Sequence, residues 1–162
     1  MDIRRPNRVT RSYTQRLDAP PSRVLPLLCP VREAEWLAGW DPVRVLSESG
    51  RVEPDCVFET ASPRAAAGDA RDHTLWYVTR VEAEAGHVEM IRITPGVTAC
   101  RLTIRLAAAD AGCEATVSYV HTSLGPDGDA FVAAFTEDHY RSFMQDWERR
   151  LNHYLTTGHC LT

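Results

Sequence analysis

His121 and Tyr119 are the residues whose types and spacing point most directly to chemistry. Both share the parity of Ala115 and Val117 in a strand-like segment, and alternate residues of a strand face the same side of a sheet. We therefore predict that both side chains point into the interior. An inward histidine can act as an acid, a base or a hydrogen-bond donor, so His121 is the candidate acid–base residue. A neutral histidine hydrogen-bonded to a backbone carbonyl or to Tyr119 is the competing interpretation.

Arg92, Glu35 and His139 are further candidates for polar groups in the same site. If Arg92 points inward, it needs a partner or an anionic ligand, because burying a lone guanidinium costs too much free energy. If Glu35 or Glu89 is that partner, the two residues form a structural ion pair. Apolar side chains are expected around these groups: Trp36, Trp40, Trp76, Met90, Tyr119, Phe131 and Phe135. Apolar walls with a few placed polar groups suit a small molecule, although such aromatic residues are also typical of a plain core.

Other chemistries lack their motifs. His73, His121 and His139 belong to separate elements, and the sequence has no H-x-H, H-E-x-x-H or paired-cysteine motif, so we expect neither a metal nor a cofactor. It also lacks a G-x-S-x-G motif and a glycine-rich phosphate loop. Five scattered cysteines, none of them in a C-x-x-C motif, are typical of reduced thiols in a cytoplasm.

Seven strand-like segments form the framework that must position these residues. The first covers 9–17, and two short helical segments follow at 21–28 and 33–37, because Pro30 interrupts the helix. A loop of small and polar residues is expected at 62–72. The other six strands alternate with turns as in an antiparallel meander: 43–48, 55–60, 73–82, 87–94, 97–108 and 113–124.

Two of these strands have ambiguous faces. In 73–82 we favour Trp76 and Val78 as the inward pair, although Leu75, Tyr77 and Val81 compete with them. In 87–94 a β-bulge would let both of two competing sets be buried. Those sets are Val88, Met90 and Arg92 against Ile91 and Ile93.

A single long helix is predicted from Asp129 to about Thr156. At about 1.5 Å per residue it would be about 40 Å long, and only a curved sheet could cover an apolar stripe of that length. An α+β fold and a single domain over 1–162 follow. The stripe recurs every four residues, at Phe131, Phe135, His139, Phe143, Trp147, Leu151 and Leu155.

The order of these elements resembles that of the START-like, helix-grip superfamily (SRPBCC), which includes birch-pollen-allergen-like proteins and polyketide cyclases. The segment 17–24 is similar to the strand-to-helix start of that superfamily. The resemblance implies a curved seven-stranded antiparallel sheet wrapped around a long C-terminal helix, with two short helices after strand 1. It also implies an internal cavity, which in that superfamily commonly holds lipids, sterols, polyketides, hormones or aromatic metabolites. Further runs resemble a bacterial branch of unassigned activity: Cys29-Pro30-Val31-Arg32-Glu33, Glu35-Trp36, Gly39-Trp40 and Asn152-His153-Tyr154-Leu155.

Composition limits the partners. A formal net charge of -4 argues against electrostatic binding of nucleic acid. No stretch approaches the roughly 18 apolar residues of a membrane helix, and the polar, Arg-rich start does not resemble a secretory signal. We therefore expect a cytoplasmic protein without membrane insertion. Trp36 and Trp40 suggest either a homodimer contact or a lid.

Three functions are consistent with the sequence. The leading hypothesis is binding of a small, mostly apolar molecule, lipid-like or aromatic and polyketide-like, with an acidic or carbonyl end, in a cavity between sheet and helix. The first alternative is an enzyme of the cyclase, dehydratase or hydrolase type that uses His121 as acid–base. The second alternative is a partner-binding module with a filled core.

Overall fold

The computed structural model describes residues 1, 3–40, 42–61 and 73–161. Seven antiparallel strands form one sheet in the order β1-β7-β6-β5-β4-β3-β2, which confirms the predicted α+β helix-grip fold. The loop predicted at 62–72 lies outside the described residues. The strands are β1 (Arg8–Leu17), β2 (Pro42–Leu46), β3 (Val57–Ala61), β4 (His73–Glu82), β5 (His87–Thr94), β6 (Thr98–Ala109) and β7 (Gly112–Ser123). The helices are α1 (Pro21–Val24), a 3-10 turn (Leu25–Leu28), α2 (Pro30–Glu33), α3 (Pro126–Ala134) and α4 (Glu137–Thr157).

The short helices after β1 connect one edge of the sheet to the opposite edge. β1 pairs with β7, from Arg8 opposite Thr122 to Leu17 opposite Cys113, whereas β2 forms the opposite edge. Pro30 occupies the first turn of α2, where its missing N–H costs nothing. The second short helix therefore begins at Pro30, three residues earlier than predicted.

Alternate residues of the strands form the inner face of the sheet. One cross-strand row on this face joins Phe58, Trp76, Arg92, Cys100 and His121, each opposite the next on neighbouring strands. Neighbours in such a row lie within side-chain contact distance. The row therefore brings together residues that are more than sixty positions apart in the chain.

The structure resolves the two ambiguous strands. Trp76 and Val78 are buried, as predicted, while Leu75 and Tyr77 are exposed. The bulge lies in β4 rather than β5, between Val78 and Arg80, and it lets Val81 pack against the core as well. In β5, Val88 and Met90 are buried and Arg92 shares their face, so Ile91 and Ile93 lie on the other face, half-buried.

The hairpin between β2 and β3 has a longer loop than predicted. Glu53 accepts hydrogen bonds from Ser47 Oγ at 2.6 Å, Glu48 N at 2.5 Å and Ser49 N at 3.1 Å. A carboxylate that accepts several nearby donors in this way stabilises a loop. As a result, β2 ends two residues earlier and β3 begins two residues later than predicted.

The C-terminal helix is divided in two, so the prediction of one continuous helix from Asp129 is wrong. Phe135 has φ -80° and ψ 61°, outside the helical region, and the extended Thr136 caps α4 by accepting a hydrogen bond from His139 N at 3.2 Å. Glu137 and Asp138 in the first turn favour a new helix start. Since this start resets the register, the buried face of α4 consists of Tyr140, Met144, Trp147, Leu151 and Leu155.

Two buried hydrogen bonds attach α4 to the inner face of the sheet. Tyr140 Oη donates to the Val117 carbonyl at 2.6 Å, and Gln15 Nε2 donates to the Met144 carbonyl at 2.9 Å. Buried donors of this kind cost free energy when they are unpaired, so both bonds fix the position of the helix. No helix in the described part of the chain has both the length and the apolar composition that crossing a membrane requires.

Candidate functional site

An enclosed cavity of about 190 Å3 lies between the inner face of the sheet, helix α4 and the segment after β1. Depressions of about 290 and 580 Å3 on the outer face of the sheet and beside the end of α4 are more open to solvent. The enclosed cavity has mostly apolar walls. Six of its lining residues define its chemistry: Glu33, Trp40, Phe58, Trp76, Arg92 and Tyr119.

Three aromatic rings form one side of the cavity. Phe58 and Trp76 lie opposite each other on β3 and β4, and their rings stack with centroids 5.3 Å apart. Trp40 packs at an angle against both, at 6.3 and 6.4 Å. The indole N–H of Trp76 donates to Thr60 Oγ1 at 3.1 Å, and that of Trp40 donates to the Pro30 carbonyl at 2.7 Å. Because the protein satisfies both indole donors, these rings contribute apolar surface to the cavity.

Arg92 brings a positive charge to this apolar space. Its Cζ lies 5.2 Å from the Trp76 ring centroid and 5.9 Å from that of Tyr119, within the range of cation–π attraction. Its Nε is buried and has no hydrogen-bond partner. Among the described residues, no carboxylate lies within 4.0 Å of its guanidinium.

The two carboxylates that sequence analysis considered as partners of Arg92 are engaged elsewhere. Glu35 accepts two hydrogen bonds from Arg32, at 2.9 and 3.0 Å, and one from Tyr154 Oη at 2.5 Å. Glu89 accepts a hydrogen bond from Thr79 Oγ1 at 3.0 Å. The prediction of a structural ion pair with either residue is therefore wrong.

Glu33 and Tyr119 are the other polar groups of the cavity wall. Burial raises the pKa of Glu33 to about 8, because the carboxylate loses its hydration, so this residue is mostly protonated at neutral pH. Burial also raises the pKa of Tyr119, and its phenol stays neutral. At neutral pH the cavity thus contains one cation and two neutral groups that can donate hydrogen bonds.

His121 lies at the neighbouring end of the inner face, sealed from the cavity. It is fully buried, its ring stacks on Tyr119 at 5.6 Å, and Phe131 and Phe135 pack against it at 4.8 and 4.7 Å. Its Nε2 lies 3.7 Å from Cys100 Sγ, and its Nδ1 has no partner. Burial, and to a smaller extent the charge of Arg92, lower the pKa of His121 to about 3. The imidazole is therefore neutral at physiological pH, as the competing interpretation expects, but its polar contact is the Cys100 thiol and not a backbone carbonyl or the hydroxyl of Tyr119.

The structure brings five of the sequence-predicted site residues into the cavity wall and places six outside it. Those in the wall are Trp40, Trp76, Met90, Arg92 and Tyr119. Phe131, Phe135 and His121 pack against one another, and Glu35 belongs to the exposed ion pair with Arg32.

Trp36 is fully buried against Trp147, with its indole N–H donating to the Leu27 carbonyl at 3.0 Å. His139 is exposed on α4, because the break at Phe135 turns it away from the sheet.

Sequence analysis missed Glu33 and Phe58 as wall residues. Glu33 lies on a helix of four residues, which is too short for a periodicity to show which side chain points inward. Phe58 shares the inner face with Trp76, and its alternation in the strand pattern was the available signal. Within the described residues, no three His, Cys, Asp or Glu side chains are grouped closely enough to hold a metal ion.

Neither a protein-family profile nor a curated protein matches the sequence, whereas solved structures match the fold. Norcoclaurine synthase from Thalictrum flavum matches with a TM-score of 0.68 and 12% identity over 97% of this chain and 99% of that one. Ara h 8.0201 matches with a TM-score of 0.63 and 13% identity, over 91% of this chain and 97% of that one. An uncharacterized protein from Rhizobium leguminosarum matches with a TM-score of 0.60 and 15% identity, over 95% of this chain and 98% of that one. The chain therefore has the helix-grip fold that the sequence resemblance predicts.

Proposed function

We propose that this protein binds a small, mostly apolar molecule in the cavity between the sheet and α4. The observation that carries the proposal is the enclosed volume of about 190 Å3 with aromatic walls. An apolar cavity of about 150 Å3 is large enough to hold benzene. The space therefore suits a molecule built on a single ring better than a sterol or an extended lipid chain.

The size of the cavity also limits the affinity that apolar contact can supply. Burying about 150 Å2 of ring surface contributes about 4 kcal/mol, and the lost translational and rotational freedom of the ligand offsets much of it. Polar contacts from the wall must therefore supply part of the binding free energy. In one solved structure, the norcoclaurine synthase is in complex with dopamine and hydroxybenzaldehyde, which supports single-ring ligands as suitable for this fold.

Glu33 favours proton transfer as a second candidate function. A carboxyl group with a pKa near 8 in the wall of a cavity has the property that a general acid needs at neutral pH. An enzyme of the cyclase or dehydratase type would then use Glu33, because His121 is sealed behind aromatic rings. Binding without turnover, or turnover that survives Glu33→Gln, would contradict this second candidate.

Other expectations from the sequence concern the core, the location and the partners. A filled core does not agree with the cavity, so a partner-binding module receives no support from the structure. A cytoplasmic location, a homodimer and the absence of a nucleic-acid partner remain predictions from the sequence.

Two substitutions on opposite faces of β7 test the binding proposal. Val117 lines the cavity, whereas Val120 lies on the outer face of the same strand. We expect Val117→Phe to fill the space and to weaken binding of indole or benzamide by at least about tenfold. Val120→Phe should leave binding unchanged. The measurement is ligand-observed NMR or titration calorimetry, after thermal unfolding has shown that both variants are folded.

Two outcomes would overturn the proposal. One is the absence of saturable binding of any single-ring probe to the unmodified chain. The other is equal affinity in the two variants, which would place the bound probe outside the cavity. Native mass spectrometry of freshly purified protein complements the titration by detecting a co-purified small molecule directly.

A further inference from the structure

We propose that the cavity selects single-ring carboxylates and that Arg92 is the residue that holds the carboxylate group. This inference rests on the proposed binding function and specifies its ligand class. The supporting observation is an inward guanidinium, in the wall of an enclosed cavity, that has no anionic partner among the described residues.

The position of Arg92 in the sheet fixes its direction. It lies on the inner face of β5, opposite Trp76 on β4 and Cys100 on β6. Both neighbours are buried, so the side chain must extend over the inner face rather than into solvent. Its Cζ lies within 6 Å of the Trp76 and Tyr119 ring centroids, and both rings line the cavity. The two rings hold the charged group at the edge of the ligand space.

The hydrogen-bonding capacity of Arg92 is incompletely used. A guanidinium has five N–H donors and keeps its charge at any pH that a folded protein experiences. Nε of Arg92 is buried without an acceptor, which costs free energy that a bound acceptor would recover. In contrast, ion-paired arginines such as Arg32, Arg44 and Arg149 have carboxylate partners within 4.0 Å and are substantially exposed.

Glu33 is the one carboxyl group in the described cavity wall, and it does not cancel the charge of Arg92. No ion pair joins the two side chains among the described contacts. In its protonated form Glu33 can donate a hydrogen bond to an oxygen atom of a ligand, as can the hydroxyl of Tyr119. The polar groups of the wall are therefore one cation and two donors, a combination that suits an anionic acceptor.

Charge balance favours a carboxylate over a phosphate. One guanidinium neutralises one negative charge, so a dianionic phosphate would leave uncompensated charge among apolar walls. A carboxylate matches the planar fork of arginine with two parallel hydrogen bonds. The three rings of Trp40, Phe58 and Trp76 provide the apolar surface for the remainder of a planar ligand.

A matched pair of probes tests the inference. Benzoate and benzamide have almost the same shape and differ in charge, so their affinities isolate the contribution of the carboxylate. Titration calorimetry at pH 7 should show benzoate binding at least about tenfold more tightly than benzamide. Arg92→Met should abolish this preference by weakening benzoate binding more than benzamide binding, since benzamide has no charge to lose a partner for, and Arg92→Lys should retain part of the preference.

Arg101→Met is the matched control. Arg101 lies on the outer face of β6, opposite Ile91, and should not influence the preference. Thermal unfolding shows whether each variant is folded, and Arg92→Lys keeps the test available if Arg92→Met does not fold.

Equal binding of benzoate and benzamide to the unmodified chain would overturn the carboxylate inference and leave the binding proposal intact. Binding of neither probe, nor of indole, would overturn both. A benzoate preference that survives Arg92→Met would contradict the role of Arg92.

Discussion

The interior of this protein has two neighbouring regions that share one row of the sheet and differ in what lies above it. At His121 the rings of Phe131 and Phe135, supplied by α3 and the break after it, fill the space. At Arg92 the space remains open as the cavity. The polar group of the filled region has lost its charge, while that of the open region keeps it. The comparison shows that the helical side chains, rather than the sheet, determine where this fold leaves room for a ligand.

The largest expected effect comes from opening the filled region. Phe135 is buried against His121, Tyr119 and Tyr140, so Phe135→Ala should lower the free energy of unfolding by about 3 kcal/mol. Phe143 also lies beside the interior, at the cavity, but it is 46% exposed. Phe143→Ala should therefore cost less than about 1 kcal/mol. Denaturant unfolding of both variants measures the difference, and equal costs would contradict the distinction between a filled and an open region.

The two regions should also respond to pH in opposite directions. The pKa of His121 is lowered from 6.5 to about 3 by burial, so below pH 6.5 the unfolded chain binds a proton that the folded chain does not. Stability therefore falls as the pH decreases from 6.5 towards 3, by at most about 1.4 kcal/mol per pH unit. Glu33, with a pKa raised from 4.5 to about 8, makes stability fall as the pH increases through that window.

Two variants separate these contributions. His121→Gln should flatten the acid side of the stability profile, whereas Glu33→Gln should flatten the decline between pH 4.5 and 8 and stabilise the protein near pH 7.5. Urea unfolding at pH 5, 6, 7 and 8 gives the two differences from the unmodified chain. Stability differences that grow with pH in the same direction for both variants, or a His121→Gln profile parallel to that of the unmodified chain, would refute the assigned environments.

The smallest effect is expected outside both regions. Arg32 and then Tyr154 hydrogen-bond to Glu35 and lower its pKa to about 2, but the side chains of the ion pair are more than a third exposed. Exposed ion pairs contribute little, so Glu35→Gln should reduce stability by less than about 1 kcal/mol. Benzoate and indole affinities should not change. A loss of benzoate or indole affinity in calorimetry would contradict this expectation and indicate that Glu35 contributes to the ligand site.

Sequence pattern predicted the sheet well where one face is plainly apolar. Cys100, Leu102, Ile104 and Leu106 of β6 are buried as their alternation predicts. The same rule favoured Trp76 over Leu75, although a bulge in β4 also lets Val81 reach the core, which no alternation rule anticipates.

The candidate site was harder to predict because it depends on breaks in regular structure. The period of four residues continues unbroken from Phe131 to Leu155, so the pattern conceals the helix end at Phe135. The capping hydroxyl of Thr136, followed by two acidic residues, was the local signal for that break. With the break known, the exposed position of His139 follows. The inward position of Glu33 does not, because α2 is a single turn whose orientation depends on tertiary packing.

The order of residues along the inner row has a consequence for measurement. Arg92 and His121 flank Cys100 on neighbouring strands, and the guanidinium charge contributes to the depressed pKa of the imidazole. An anion that compensates this charge would ease protonation of the ring. The pKa of His121, followed by NMR of its ring protons, would then rise when an anion binds. His121 would therefore report binding in the cavity although it does not line the cavity.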